Sequence, residues 1–111
     1  MTKPFLNLVS DGMELVHMIA DKPQTIHVVQ QETIFLACEI KTNAQLKWYY
    51  NDTEITKNPP PYVLDWDKGS NSEKGSILMI RQPRDGKYDC EAQTSTLVIK
   101  ATVHIIVKQS K

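Results

Sequence analysis

Thr33-Ile34-Phe35-Leu36-Ala37-Cys38 and Asp85-Gly86-Lys87-Tyr88-Asp89-Cys90, with Gln45-Leu46-Lys47-Trp48-Tyr49-Tyr50 between them, decide how this chain folds. All three alternate with the period of a strand that has one buried side. In the first, Ile34, Leu36 and Cys38 share a side, which Ile40 continues. In the second, Leu46, Trp48 and Tyr50 point one way while Lys47 and Tyr49 point the other. Tyr88, Cys90 and Ala92 form the third row. Two cysteines, a tryptophan between them and a tyrosine two places before the second cysteine therefore all stand on expected inward faces.

The neighbouring segments obey the same grammar. Thr25-Ile26-His27-Val28-Val29 is a short β-rich run followed by the polar turn Gln30-Gln31-Glu32. Asn51-Asp52 is a turn dipeptide between two extended runs. Lys57-Asn58-Pro59-Pro60-Pro61 forbids regular pairing, because proline donates no backbone hydrogen bond. Tyr62, Leu64 and Trp66 are expected on one side of the next strand. A Gly- and Ser-rich loop over Lys68 to Gly75 leads to Ser76-Ile77-Leu78-Met79-Ile80-Arg81. A corner at Pro83-Arg84-Asp85-Gly86 feeds Tyr88, and a turn near Thr94-Ser95-Thr96 opens a last strand with Ala101, Val103, Ile105 and Val107 together. Short strands at this spacing, with no clear helical period, imply an all-β, two-sheet antiparallel sandwich.

Residues 1–22 are the least regular. Phe5-Leu6-Asn7-Leu8-Val9 and Met13-Glu14-Leu15-Val16-His17-Met18-Ile19 are apolar runs separated by Ser10-Asp11-Gly12, and the second fits neither the helix nor the strand period cleanly. The division expected is an N-terminal linker and edge-strand segment over 1–22 and the sandwich over 23–109.

At 111 residues the chain has room for one core. Its 13 basic and 13 acidic residues balance, which argues against nucleic-acid binding or a membrane-surface role, both of which need a basic excess. Apolar residues make up 41%, enough to argue against disorder. No apolar run approaches the ~20 residues that span a bilayer, so membrane association is expected only through flanking parts of a longer chain. Asn7 and Asp11 interrupt any signal-peptide hydrophobic region, and an internal piece of a longer secreted chain is the expected origin.

From about Pro23 to Lys108 the pattern resembles an intermediate-set (I-set) immunoglobulin domain with Greek-key connections. The residues that carry the resemblance are Cys38, Trp48, Leu78, Ile80 and Tyr88-Asp89-Cys90, with Leu36 in the same core row. Two buried unpaired thiols would also satisfy the residues alone. The resemblance implies instead a Cys38–Cys90 disulfide, closing a loop of about fifty residues worth about 4 kcal/mol. It also implies that the Tyr88 hydroxyl bonds backbone in the turn before it. The chain departs from the family where Asp-x-Gly-x-Tyr-x-Cys is usual: Arg84 stands six before Cys90, and Asp85 comes one place late. The salt bridge that the family's aspartate often makes is therefore not carried over. The glycine common in the last hairpin is also missing.

Catalytic and metal chemistry have few candidates. His17, His27 and His104 belong to no His-Glu-x-x-His or Cys-x-x-Cys cluster, and no Gly-x-Ser-x-Gly or phosphate-cradling loop occurs. Asp65-Trp66-Asp67-Lys68-Gly69-Ser70 has calcium-loop carboxylate spacing, but its glycine is one place early and Ser76 stands where a closing glutamate is needed. No cofactor, metal, small-molecule substrate or catalytic residue is expected. Asn51-Asp52-Thr53 is an N-glycosylation sequon on an expected exposed turn. Tyr49, Phe35, Tyr62 and Trp66 are the interface candidates, because aromatic residues dominate binding hot spots. The resemblance implies a recognition or adhesion module of a cell-surface or secreted protein. Its expected partner is another immunoglobulin-superfamily or extracellular protein, homophilic binding included. The competing reading is a cytoplasmic structural immunoglobulin domain of a muscle or cytoskeletal protein.

Overall fold

The computed structural model describes residues 13–109 apart from 31, 57–58 and 70–73, without the side chains of 13–14 and 65–69. The run Phe5–Val9 and residues 70–73 of the Gly- and Ser-rich loop lie outside the described residues, as do the Asp65, Trp66 and Asp67 side chains.

Among the described residues nine strands form: β1 (Met13–His17), β2 (Gln24–Val29), β3 (Thr33–Ile40), β4 (Gln45–Tyr50), β5 (Thr53–Ile55), β6 (Tyr62–Gly69), β7 (Lys74–Ile80), β8 (Gly86–Gln93) and β9 (Val98–Lys108). They build a four-stranded sheet ordered β1-β3-β7-β6 and a five-stranded sheet ordered β2-β9-β8-β4-β5. The β3–β4, β5–β6 and β7–β8 connections each pass from one sheet to the other, so the sheets lie face to face as a sandwich.

Alternation settles which side chains fill the space between. Ile34, Leu36 and Cys38 from β3 meet Leu78 and Ile80 from β7; across the gap stand Trp48, Tyr88, Cys90, Val103 and Ile105, all buried. Antiparallel partners in register share a face, which is why Leu36 opposite Leu78 and Trp48 opposite Cys90 double each strand's apolar row.

The irregular N-terminal run becomes β1, the edge of the four-stranded sheet. It pairs in parallel with β3, placing Leu15 opposite Phe35 and Val16 opposite Leu36. Among its described side chains Val16 reaches the core, while Leu15 and His17 are exposed. A run in which apolar residues stand on both faces shows no clean period, which explains its ambiguous pattern. The chain then crosses to the other sheet, held by Asp21 N–H donating to the Lys100 carbonyl at 3.1 Å, and β2 runs parallel to β9.

One sequence expectation needs correction. The register slips between Leu64 and Trp66: Leu64 stands opposite Leu78, but Trp66 stands opposite Ile77. The bulge inserts an extra residue, so Trp66 leaves the row that holds Tyr62 and Leu64.

Two turns show how local chemistry closes the strands. Asn51 and Asp52 both adopt positive φ, 48° and 71°, in a two-residue β4–β5 hairpin of the twist-matched kind that these residue types tolerate. The β8–β9 hairpin closes without glycine. Thr94 N–H donates to the Leu97 carbonyl at 2.9 Å, and its hydroxyl oxygen accepts from Leu97 N–H at 2.9 Å and Thr96 N–H at 3.2 Å.

Candidate recognition surfaces

Rigid strands position every candidate side chain, so the inner frame comes first. Cys38 and Cys90 are joined by a disulfide across the two sheets, with Cα atoms 6.5 Å apart at a sequence separation of 52. Beside it in register, Trp48 donates its indole N–H to the Ser76 hydroxyl at 2.9 Å, a second link from one sheet to the other. Ser76 is one of two polar or charged side chains buried among the described residues, and the indole accounts for its burial.

Tyr88 is fully buried, with ring centroids of Tyr50 and Tyr62 at 4.8 and 6.3 Å. Its hydroxyl reaches the Arg84 carbonyl at 3.5 Å, the long limit of a hydrogen bond, in the turn where the resemblance placed it. Tyr50 donates to the adjacent Asp85 carbonyl at 2.8 Å. Gly86 completes this corner at φ 154°, where an added Cβ would lie 2.5 Å from Cε1 of Tyr50. The displaced Asp85 makes a different contact. Its carboxylate accepts from the Val107 N–H at 2.7 Å, tying the corner to the end of β9.

Burial drives the Tyr88 phenol far above its ordinary pKa, with Tyr62 adding to the shift. Tyrosines freed by unfolding ionise near pH ~10, whereas Tyr88 in the fold does not, so the unfolded state holds fewer protons above that pH. Stability is thus full below pH ~10 and falls as pH rises beyond it. An alkaline titration should show phenolate absorbance from Tyr88 appearing only together with global unfolding; a separate earlier step in Tyr88→Phe-sensitive absorbance would contradict the burial.

The two outer faces differ sharply. On the five-stranded sheet, Tyr49 donates to Glu91 at 3.0 Å, a bond that also raises the tyrosine's pKa. Buried Asp89 accepts from the Thr102 hydroxyl. Lys87 pairs with Asp52 at 2.8 Å and lies 3.8 Å from Asp89, and the Lys87 ammonium holds the Asp52 carboxyl below its ordinary range. At the β4–β5 turn, Asn51 exchanges bonds with Lys87: its N–H donates to the Lys87 carbonyl, and its side-chain oxygen accepts from the Lys87 N–H, both at 2.8 Å. This face thus pairs several of its outward polar groups with one another, while Val29 and Ile106 stand exposed on β2 and β9.

The four-stranded sheet presents the reverse. Leu15, Phe35, Met79 and Val63 form one cross-strand row; in the next, exposed His17 stands beside buried Ala37, with Ile77 and the Trp66 register position beyond. Antiparallel sandwich strands usually carry polar residues on the outer side. Here β7 reads Ile77-Leu78-Met79-Ile80, apolar on both faces, and β3 reads Ile34-Phe35-Leu36-Ala37. Leu15 is 44% exposed.

A cleft of about 860 Å³ opens between the sheets on the side where β5 and β6 end them, with Leu46, Trp48, Ile55 and Leu64 among its lining. Among the described residues no three His, Cys, Asp or Glu side chains converge as a metal site. His104 is exposed on β9.

The four interface candidates from the sequence do not come together. Tyr49 lies on the polar outer face and Phe35 on the apolar one, whereas Tyr62 packs against the core and within 6.2 Å of the Tyr50 ring centroid. Trp66 is placed only by its backbone register. Sequence reasoning passed over Leu15, Ile77 and Met79; the signal for Ile77 and Met79 was the unbroken apolar run Ile77-Leu78-Met79-Ile80 in β7.

Two sheets face to face, cross-linked by a disulfide between β3 and β8 with an indole beside it and a tyrosine corner, define an immunoglobulin-type domain. The chain belongs to the immunoglobulin I-set domain family, which it matches over residues 17–107. Solved structures agree on the fold. Titin domain M7 superposes with a TM-score of 0.63 at 19% identity, covering 84% of this chain and 95% of that one. The Dpr2 Ig1-Ig2 complex with DIP-Theta Ig1-Ig3 gives 0.65 at 18% identity over 82% of this chain and 33% of the other. The titin M10–Obscurin like 1 Ig complex gives 0.58 at 15% identity over 79% and 89%. No curated protein sequence matches.

Proposed function

We propose that this chain is a non-enzymatic protein-recognition module of a cell-surface or secreted immunoglobulin-superfamily protein, acting in adhesion or as part of a receptor ectodomain. One observation carries the recognition reading: on the outer face of the four-stranded sheet Leu15, Phe35, Met79 and Val63 form one apolar cross-strand row with Ala37 and Ile77 beside it, while on the opposite outer face Tyr49 with Glu91 and Lys87 with Asp52 pair among themselves. Exposed contiguous apolar surface on a small domain marks a place where another protein docks. The Cys38–Cys90 disulfide favours an oxidising compartment, and the sequon at the exposed Asn51 turn is compatible with one. Two solved structures similar to this chain are of protein–protein complexes, Dpr2 with DIP-Theta and titin M10 with Obscurin like 1, in keeping with a protein partner.

The reading is tested by cross-linked capture of proteins on intact cells with three forms of the chain. Met79→Lys places a charge on the apolar face, and Lys47→Glu changes the opposite face. Capture should fall at least about tenfold with Met79→Lys and stay unchanged with Lys47→Glu. Equal capture by all three forms would refute the assignment of the recognition face.

A further inference from the structure

Asn51 closes the β4–β5 turn with only half of its side-chain amide. Its Oδ1 accepts from the Lys87 N–H at 2.8 Å, whereas Nδ2 meets no hydrogen-bond acceptor among the described residues. Only the oxygen of an amide can accept from an N–H, so this bond fixes the orientation of the group and leaves the nitrogen unclaimed. The residue is exposed at the tip of the hairpin, with exposed Thr53 two places on completing Asn-Asp-Thr.

A shallow depression of about 520 Å³ opens beside the same turn, and Thr25, Asn51, Lys87, His104 and Ile106 are among its lining. It lies on the outer side of the five-stranded sheet. Thr25 stands opposite His104 and His104 opposite Lys87, one cross-strand row that alternation turns outward. Ile106 is the next outward residue on β9, and 39% of it is exposed. An apolar side chain thus stands bare among groups that can donate and accept hydrogen bonds, with a sequon on the rim.

We propose that Asn51 carries an N-linked glycan and that its first sugar, an N-acetylhexosamine, lies in this depression. This rests on the secreted or cell-surface reading above and assigns the outer face that the recognition surface does not use. The co-reactant is a lipid diphosphate-linked oligosaccharide. Asn51 Nδ2 bonds to the anomeric carbon, the bond from that carbon to the phosphate oxygen breaks, Nδ2 gives up one proton, and the lipid diphosphate leaves. The glycosylated amide keeps its carbonyl and one N–H, so the bond to Lys87 survives attachment. A pyranose ring presents C–H groups that suit Ile106, and its acetamide and hydroxyls match the Thr25 hydroxyl and the His104 imidazole. Each contact is weak, but the covalent tether makes them intramolecular. The glycan then covers part of the five-stranded sheet and leaves Leu15, Phe35 and Met79 on the other sheet open to a partner.

The test uses protein from a secretory host in four forms: parent, Thr53→Ser, Thr53→Ala and Ile106→Thr. Peptide mass mapping should find the glycan on Asn51 in all but Thr53→Ala. Enzymatic trimming to a single sugar then allows the seat to be read by NMR, where the sugar protons should show Overhauser contacts to the Ile106 methyl groups of the parent. The trimmed parent should also melt about 2–4 °C above unmodified parent made in the periplasm of a non-glycosylating bacterium, and Ile106→Thr should lose most of that gain. A bare Asn51 in a chain whose Cys38–Cys90 bond has formed overturns the modification, while the capture experiment above decides the recognition reading separately. A glycan on Asn51 without contacts to Ile106, or with an equal melting gain in Ile106→Thr, overturns the seat.

Discussion

Trp48→Ala should lower stability by about 3–5 kcal/mol, the usual cost of deleting a large buried aromatic side chain. Three separate losses contribute. The indole is 2% exposed and sits in the core cluster with Leu36, Leu78 and Cys90, so its removal opens a cavity between the sheets. Its N–H bond to Ser76 disappears, leaving a buried hydroxyl without its partner. The β4 strand also loses its main contact with the opposite sheet. For a domain of this size the melting temperature should drop by on the order of 15 °C. Trp48→Phe separates the packing from the hydrogen bond: it keeps most of the apolar volume and should cost about 1–3 kcal/mol. Chemical denaturation of the three forms measures both differences. A Trp48→Ala melting point within a few degrees of the parent would mean that the core is not organised around this residue.

Removing the cross-link should have a comparable effect. The Cys38→Ala/Cys90→Ala double variant loses the restriction on a 52-residue loop in the unfolded chain. The chain-entropy relation puts that restriction at about 4 kcal/mol, within the 2–5 kcal/mol usual for a native disulfide in a small domain. Both sulfur positions are buried, at 7% and 1% exposure, so alanine adds a small packing loss. Equilibrium denaturation of the parent, oxidised and reduced, against the double variant should show the reduced parent close to the variant. Intact mass of protein from a secretory host should rise by two hydrogens on reduction and carry glycan at Asn51. Free thiols and a bare Asn51 would remove the case for an extracellular module and favour the structural, intracellular one.

These effects fall on residues that were legible in the sequence, for a physical reason. A strand buried on one side must alternate, and Ile34-Leu36-Cys38, Leu46-Trp48-Tyr50 and Tyr88-Cys90-Ala92 all alternate. Turn chemistry was equally readable at Asn51-Asp52, where residues that tolerate positive φ occupy a two-residue hairpin. The recognition face was harder to see. Ile77-Leu78-Met79-Ile80 is apolar at every position, so it has no period to say which residues point outward. Phe35 was visible as an aromatic on the wrong side of its strand, but a lone outward aromatic has no meaning until its neighbours are known.

The amino-acid sequence alone determined the class of fold and the inward face of each core strand, because local alternation and a few chemically distinctive side chains suffice for that; the pairing of Cys38 with Cys90 was implied by the family resemblance and is made in the structure. Tertiary structure decided what depends on partners distant in the chain. It set β1 parallel to β3, shifted Trp66 out of its expected row by a bulge, and gave Asp85 the Val107 amide, 22 residues away, to hold. It also brought Leu15, Phe35, Val63, Ile77 and Met79 onto one surface. Those five residues come from four strands, and only cross-strand register makes them neighbours.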